Sequence, residues 1–429
     1  MNDHLKLDEF SRRRFISTAA RTCLGVHLFP LLGSSVASAN LISGAKAKSV
    51  IYLFMSGGMS HLDTFDPKPK KKDVMGPLET ISSKADDILV GQHLPKTAEV
   101  MNHVCVVNSM TSKQGAHEQG TYIMHTSYAM RGTITHPSLG AWAMKMAGRI
   151  NPEIPGYVSI DASPEMTGGG FFGAKYAAAP IGSASEGLKD SRRPDHVEKD
   201  AFDRRLALAD RLNQQFHERY KNADVKAYEE LYQEAVRLMN SEDLKAFNLN
   251  DEGEAAKKLY GNGRFAQGCM LARRLVEHGV RFVEVQLGGW DTHYDNFGAV
   301  AGRCREFDQA YAALITDLDK RGLLKDTLVV VATEFGRTPE IKNEHNNGRD
   351  HHPSAFTCLL AGGGVKAGFR YGETDATGNR VKEDPVEVQD FNATIMHALG
   401  IPHDKEIYSP SGRPFRVADQ GKPVMDLFA

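Results

Sequence analysis

Five short apolar runs constrain the fold more than any other feature of this chain. They are Val50 to Met55, Val104 to Val107, Arg281 to Val285, Leu328 to Ala332 and Phe356 to Leu360. They are near-continuous and do not alternate apolar with polar residues, as strands wetted on one face do. They read as strands covered on both faces, which is the pattern of a mostly parallel sheet between two helical layers. Each run stops at residues with special backbone freedom or chemistry: Ser56-Gly57-Gly58, Asn108-Ser109, Gly288-Gly289-Trp290, Thr333-Glu334 and Ala361-Gly362-Gly363-Gly364. In α/β sheets of this kind ligands gather at the carboxyl ends of strands, so the chemistry is expected there.

Between about residues 191 and 277 the texture changes to charged, helix-favouring sequence. Phe202 to Leu212 is an example, with Leu and Ala at helical spacing, and the region reads as a helical insertion. A helix is predicted over Phe307 to Arg321, closed by Gly322 and leading into the strand that ends at Glu334. There is no internal repeat and no low-complexity linker, so residues 40–429 are expected to form one domain.

Residues 1–39 read as an address. Ser11-Arg12-Arg13-Arg14-Phe15-Ile16 precedes a weakly apolar stretch and then Ala37-Ser38-Ala39, a small-x-small cleavage site. The order resembles a twin-arginine export signal. It implies the twin-arginine translocase as a partner during export, transport of an already folded chain, and a periplasmic or extracellular destination. Arg21 and several Gly, Ser and Thr residues make the stretch a poor anchor, so no stable membrane span is expected after cleavage.

The charge balance excludes one class of partner. Lys plus Arg number 52 against 54 Asp plus Glu, and cleavage after Ala39 leaves 47 against 51. A protein at −4 has no general basic surface for nucleic acid, and it must hold any anionic ligand through a local positive charge. Cys105, Cys269, Cys304 and Cys358 lie far apart without a C-x-x-C pair, so neither a zinc-thiolate site nor a disulfide framework is expected.

The 17 histidines are the unusual part of the composition. His61, His117, His293, His351 and His352 sit beside carboxylates at apparent strand ends. Asp291-Thr292-His293-Tyr294-Asp295 offers two carboxylates and an imidazole within five residues, a mixture that suits zinc and its neighbours. Glu334 emerges from a buried strand, where it needs Arg337 or a metal as partner. In Asp350-His351-His352 one imidazole can ligate while Asp350 orients a ring, although adjacent side chains diverge in an extended loop. His61 and Asp63 follow the first strand. Ser109, Thr111 and Ser112 follow the second and are expected to open a helix, as nucleophiles or as caps. Each cluster also has a plainer reading as a solvated loop or an ion pair.

These motifs together resemble the bacterial family known as domain of unknown function 1501, related to the alkaline phosphatase and sulfatase superfamily. The carrying residues are Leu53 to Lys68, Gly288 to His293, Thr333 to Pro339, Gly348 to Pro353 and Gly412 to Phe415. The run Asp326 to Gly336 is similar to a sulfatase-type segment ending in Asp-His-Gly, whose Asp and His are metal ligands. Glu334 takes the Asp position, whereas Phe335 takes the His position and cannot ligate. Where relatives end the first strand on a metal-binding Asp, this chain has Ser56-Gly57-Gly58.

The resemblance implies an alkaline phosphatase-like fold and an exported, metal-dependent hydrolase of phosphate or sulfate esters, acting on a small-molecule or glycan ester. It implies one or two divalent ions, zinc, manganese or calcium, held by Asp291, His293, Glu334, Asp350 and His351 or His352, with His61 and Asp63 as further ligands. A hydroxyl among Ser109, Thr111 and Ser112 would attack, and Arg337 would stabilise the developing charge. The alternative is a non-catalytic binding or surface-assembly protein that keeps a degenerate cleft.

Overall fold

The computed structural model describes residues 41–188, 196–219, 238–239 and 241–429. The export-signal stretch and part of the expected helical insertion lie outside them. In chain order the main elements are β1 (Ser49–Met55), β2 (Val104–Thr111), α1 (His117–Thr126), α2 (Leu139–Ala147), β3 (Tyr157–Ile160), β4 (Ala179–Ile181) and α3 (Lys199–Arg219). They continue with α4 (Arg264–Glu277), β5 (Phe282–Leu287), α5 (Asn296–Lys320), β6 (Thr327–Ala332), β7 (Phe356–Ala361), β8 (Phe369–Tyr371), β9 (Val386–Glu387) and α6 (Val388–Ala398).

The described strands form a nine-stranded sheet in the order β8-β2-β7-β6-β1-β5-β3-β4, with β9 also paired to β2. The pairs β1–β5, β1–β6, β3–β5, β3–β4, β2–β8 and β2–β9 are parallel. Only β7 runs antiparallel, between β2 and β6. The class is therefore mixed α/β with a mostly parallel sheet, as the apolar runs require.

Alternate residues of β1 enter two separate cores. Ile51, Leu53 and Met55 pack with α4 and α5 on one face, whereas Val50, Tyr52 and Phe54 pack with residues of α1, α2 and α6 on the other. A strand buried on both faces has no polar position, which is why its sequence shows no alternation. The same division places Val329 and Val331 of β6 on the first face and Leu328 and Val330 on the second.

Three sequence expectations change in detail. Helix α5 starts at Asn296, eleven residues before the expected Phe307, because Gly298 and Gly302 hide its first turns from a helical pattern. The charged region 191–277 ends in α4, a helix whose Cys269, Leu271 and Leu275 are fully buried in the core of the sheet's first face. The strand β2 runs through Ser109 to Thr111 and α1 opens only at His117, so the hydroxyl trio does not start that helix.

Candidate metal centre

Four chain segments meet at one edge of the sheet. After β5, the turn Gly288-Gly289-Trp290 leads to Asp291 and His293, and α5 follows at once. After β1, Gly57 adopts φ 117° and approaches so closely that a Cβ there would lie 2.5 Å from the Asp291 nitrogen. After β2, the loop 112–116 leads to His117 on the first turn of α1. After β6 come Glu334 and the two-residue strand Gly336–Arg337, which pairs antiparallel with His351–His352. Because β7 is antiparallel, the residues before it, not those after it, lie at the carboxyl ends of the parallel strands. That inversion delivers His351 to the site and sends Gly362-Gly363-Gly364 to the opposite edge.

Three imidazoles surround Asp291. His293 Nε2 and His351 Nε2 are 2.8 Å apart and lie 3.3 and 3.4 Å from Asp291 Oδ1. His117 Nε2 is 3.3 Å from Asp291 Oδ2 yet out of hydrogen-bond alignment, and is buried without a hydrogen-bond partner. His117, Asp291 and His351 each place one ligand atom within 4.8 Å of the others. Ligand atoms on roughly 2.0–2.1 Å bonds in a tetrahedron stand about 3.3–3.4 Å from one another, so the imidazole–carboxylate spacings fit a bound cation, whereas the 2.8 Å between His293 and His351 is a hydrogen-bond distance.

Each ring is fixed from behind. His117 Nδ1 reaches Glu334 Oε1 at 2.8 Å, His293 Nδ1 reaches Asp350 Oδ1 at 3.0 Å, and His351 Nδ1 reaches the Gly115 carbonyl at 2.8 Å. An imidazole that donates from Nδ1 presents a lone pair at Nε2, the arrangement that metal-binding histidines use. Glu334 is itself held by the Gly57 N–H at 2.8 Å, and Lys342 pairs with Asp350. Phe335 stacks on His351 at 4.4 Å between centroids and walls one side.

Charge is set by neighbours. Burial opposes ionisation of Asp291, but Arg337, donating at 2.6 Å, holds its carboxyl down at about 2. The hydrogen bond that His117 donates to Glu334 raises the pKa of His117, whereas burial lowers that of His351. Arg337 is fully buried and donates to the carbonyls of Gly57, Gly58 and Arg349 as well as to Asp291. Its place in the structure is behind Asp291, away from open space.

Other sequence candidates lie apart from this cluster. Asp63 is fully buried and paired with Arg349 at 3.1 Å and with Asn296 Nδ2 at 2.8 Å. His61, driven down to about 3 by burial, donates to Gly378 O at 2.8 Å, and His352 donates to Asn379 O at 2.7 Å. Those two rings stack at 6.2 Å and pin the 375–380 turn. Ser109 is buried within β2 against Gly372, Thr111 is in register with Glu387 of β9, and Ser112 Oγ accepts from the Gln114 N–H. His117 was absent from the sequence-derived ligand set. Its signal was its place beside Glu118 after the second strand, but only the loop 112–116 reveals that it faces Asp291.

A family model described as "Protein of unknown function (DUF1501)" matches residues 47–428, and the chain belongs to that family. No curated protein sequence matches the chain. Among solved structures, the chain is similar to the lipoteichoic acid synthase LtaP from Listeria monocytogenes, with 11% identity, 91% of this chain and 79% of that chain covered, and a TM-score of 0.35. It is similar to the PsFucS1 sulfatase from Pseudoalteromonas sp. at 14% identity, covering 89% and 76%, with a TM-score of 0.39. For alkaline phosphatase from the Antarctic bacterium TAB5 the values are 11% identity, 82% and 98% coverage, and 0.37. At such scores the likeness is one of chain trace, and the chemistry rests on this chain's own side chains. No helix among the described residues is long and apolar enough to cross a membrane.

Proposed function

We propose that this DUF1501 protein is an exported, metal-dependent hydrolase of phosphate or sulfate esters whose centre comprises His117, Asp291, His293 and His351. One observation carries the reading: the Nε2 atoms of His117, His293 and His351 approach the two oxygens of an ionised Asp291, and each Nδ1 faces an acceptor behind it. A set composed of acceptors is stable only around positive charge. Three nitrogens and a carboxylate favour zinc or manganese, since calcium takes oxygen ligands. Such an ion, when bound, polarises an ester oxygen and lowers the pKa of water.

The chain's residues orient and shield. Glu334, Asp350 and the Gly115 carbonyl select the tautomer of each ring, Arg337 fixes Asp291, and Phe335 excludes water from one side. Ser109, Thr111 and Ser112 make no hydrogen bond to the cluster among the described residues, so the reading takes water as the attacking group. Export by the twin-arginine route agrees with an ion loaded before transport.

The test is metal analysis of protein purified without chelator, alongside hydrolysis of p-nitrophenyl phosphate and p-nitrophenyl sulfate. Bound divalent ion and turnover, both lost in Asp291→Ala, are expected. Absence of any ion, or an Asp291→Ala variant with unchanged metal and activity, would end the proposal. Phe335, which stands where relatives have a ligand, favours a second reading as a binding protein, and stoichiometric metal without hydrolysis of either ester would support it.

A further inference from the structure

Beside the centre lies an open groove of about 870 Å³. That volume is within the range of small-ligand sites, about 300–1,000 Å³. It begins directly behind the residues that orient the histidines. Thr338, on its wall, exchanges two hydrogen bonds of 3.0 Å with the Asp350 backbone, and Asp350 holds His293. Asn379, on another wall, takes the hydrogen bond of His352 through its carbonyl.

The lining has a definite chemistry. Asn343, Asn347 and Asn379 are exposed, and their side-chain amides have no partner among the described residues. Each amide offers two donors and an acceptor. Phe297 contributes a half-buried ring that carries the Arg349 guanidinium over one face at 5.6 Å, and the part of the ring that lines the groove suits the C–H surface of a ring-shaped ligand. The charged residues in the lining are Asp73 and Glu340, and no lysine or arginine lines it. Carboxylates accept from hydroxyls and repel sulfate or phosphate.

We infer that this groove binds a neutral, hydroxyl-rich glycan chain, so that the ester cleaved at the centre is an isolated anionic group on an otherwise uncharged polysaccharide. The inference rests on the proposed hydrolase reading for what happens at the centre, but the groove itself needs no ion. A densely sulfated chain meets Asp73 and Glu340 and is excluded.

Affinity electrophoresis of the full chain in gels cast with dextran, a soluble β-glucan, agarose or chondroitin sulfate tests it. Retardation is expected in at least one neutral gel and not in chondroitin sulfate. Asn343→Ala with Asn379→Ala, both at exposed positions, weakens it roughly tenfold. His351→Ala and chelator treatment leave it unchanged. No retardation in any neutral gel, retardation by chondroitin sulfate, or retardation that survives the double substitution overturns the inference. Native protein purified without chelator that holds no divalent ion yet is still retarded would sink the metal reading while leaving the groove's role intact.

Discussion

The Nε2 atoms of His293 and His351 stand 2.8 Å apart, closer than two neutral imidazole lone pairs tolerate without a cation or a shared proton between them. Their Nδ1 atoms face Asp350 and Gly115, so neither ring gains by turning over. This contact makes the stability of the site conditional on positive charge. Chelation should therefore lower the melting temperature, and readded zinc or manganese should restore it. At a free-ion concentration 100 times Kd the stabilisation is about 2.7 kcal/mol. Scanning calorimetry of native protein and His351→Ala checks this; an equal metal response in both would exclude His351 as a ligand.

Glu334 is buried, and its Oε1 accepts from both His117 and the Gly57 N–H. Glu334→Gln keeps the shape but loses the charge that sets the His117 tautomer. Loss of such an outer partner weakens metal binding by about 10–100-fold. Competition titration with a chromogenic chelator measures the change. Unaltered affinity would mean that His117 contributes no ligand.

His125 lies under the sheet and away from the centre, 3% exposed. Its Nδ1 donates to the Thr121 carbonyl at 2.7 Å and its Nε2 to Glu284 at 3.0 Å. Burial opposes the ring's charge, yet the Glu284 carboxylate and the Thr121 carbonyl raise its pKa above 6.5. A raised folded pKa means that the stabilisation is complete below the unfolded value and is lost as pH climbs through the folded one. His125→Gln should cost roughly 3–5 kcal/mol at about pH 6, as a broken buried pair does, and less at about pH 9. Denaturant midpoints at the two pH values decide it, since a gap that widens with pH requires a neutral ring.

The sheet was legible because β1, β2, β5, β6 and β7 are buried on both faces and mostly apolar, the buried Glu284 of β5 being accommodated by its pairing with His125. The missed strands β3, β4, β8 and β9 are only two to four residues long, with Pro180 and Glu387 among them, too short for a pattern to form. Asp291, His293, Glu334, Asp350 and His351, expected together as ligands from their local clustering, do lie together, but Glu334 and Asp350 stand behind the rings of His117 and His293. The separation of His351 from His352 followed from strand geometry, since adjacent residues of an extended segment face opposite sides. Asp63 and His61 were not distinguishable from ligands, because their partners Arg349 and Gly378 are 286 and 317 residues away. Tertiary pairing at that separation leaves no local trace.

Asp63 and Arg349 are both fully buried, and Arg349 also donates to the carbonyls of Thr338 and Pro339. Asp63→Asn strands a buried guanidinium and should lower stability by roughly 3–5 kcal/mol. Metal content per folded chain should not change. Denaturant unfolding and elemental analysis of the same preparation separate the two effects, and loss of metal from a still-folded Asp63→Asn protein would restore Asp63 to the ligand set.

Gly57 couples the backbone of β1 to the centre. A Cβ at this position would lie 2.5 Å from the Asp291 nitrogen and 2.8 Å from the Trp290 nitrogen, at a φ of 117° that side chains rarely adopt. Gly57→Ala must therefore push the 290–291 peptide outward and carry the Asp291 carboxylate with it. Strain of about 1–3 kcal/mol is expected from the backbone alone. Gly412, with φ 78° and nothing within 4 Å of its notional Cβ, is the matched control. Gly412→Ala should show a strain cost of that order and normal metal affinity, whereas Gly57→Ala should show the strain and weakened metal binding together. Equal affinities in the two variants would mean that Asp291 is not held in place through the first strand.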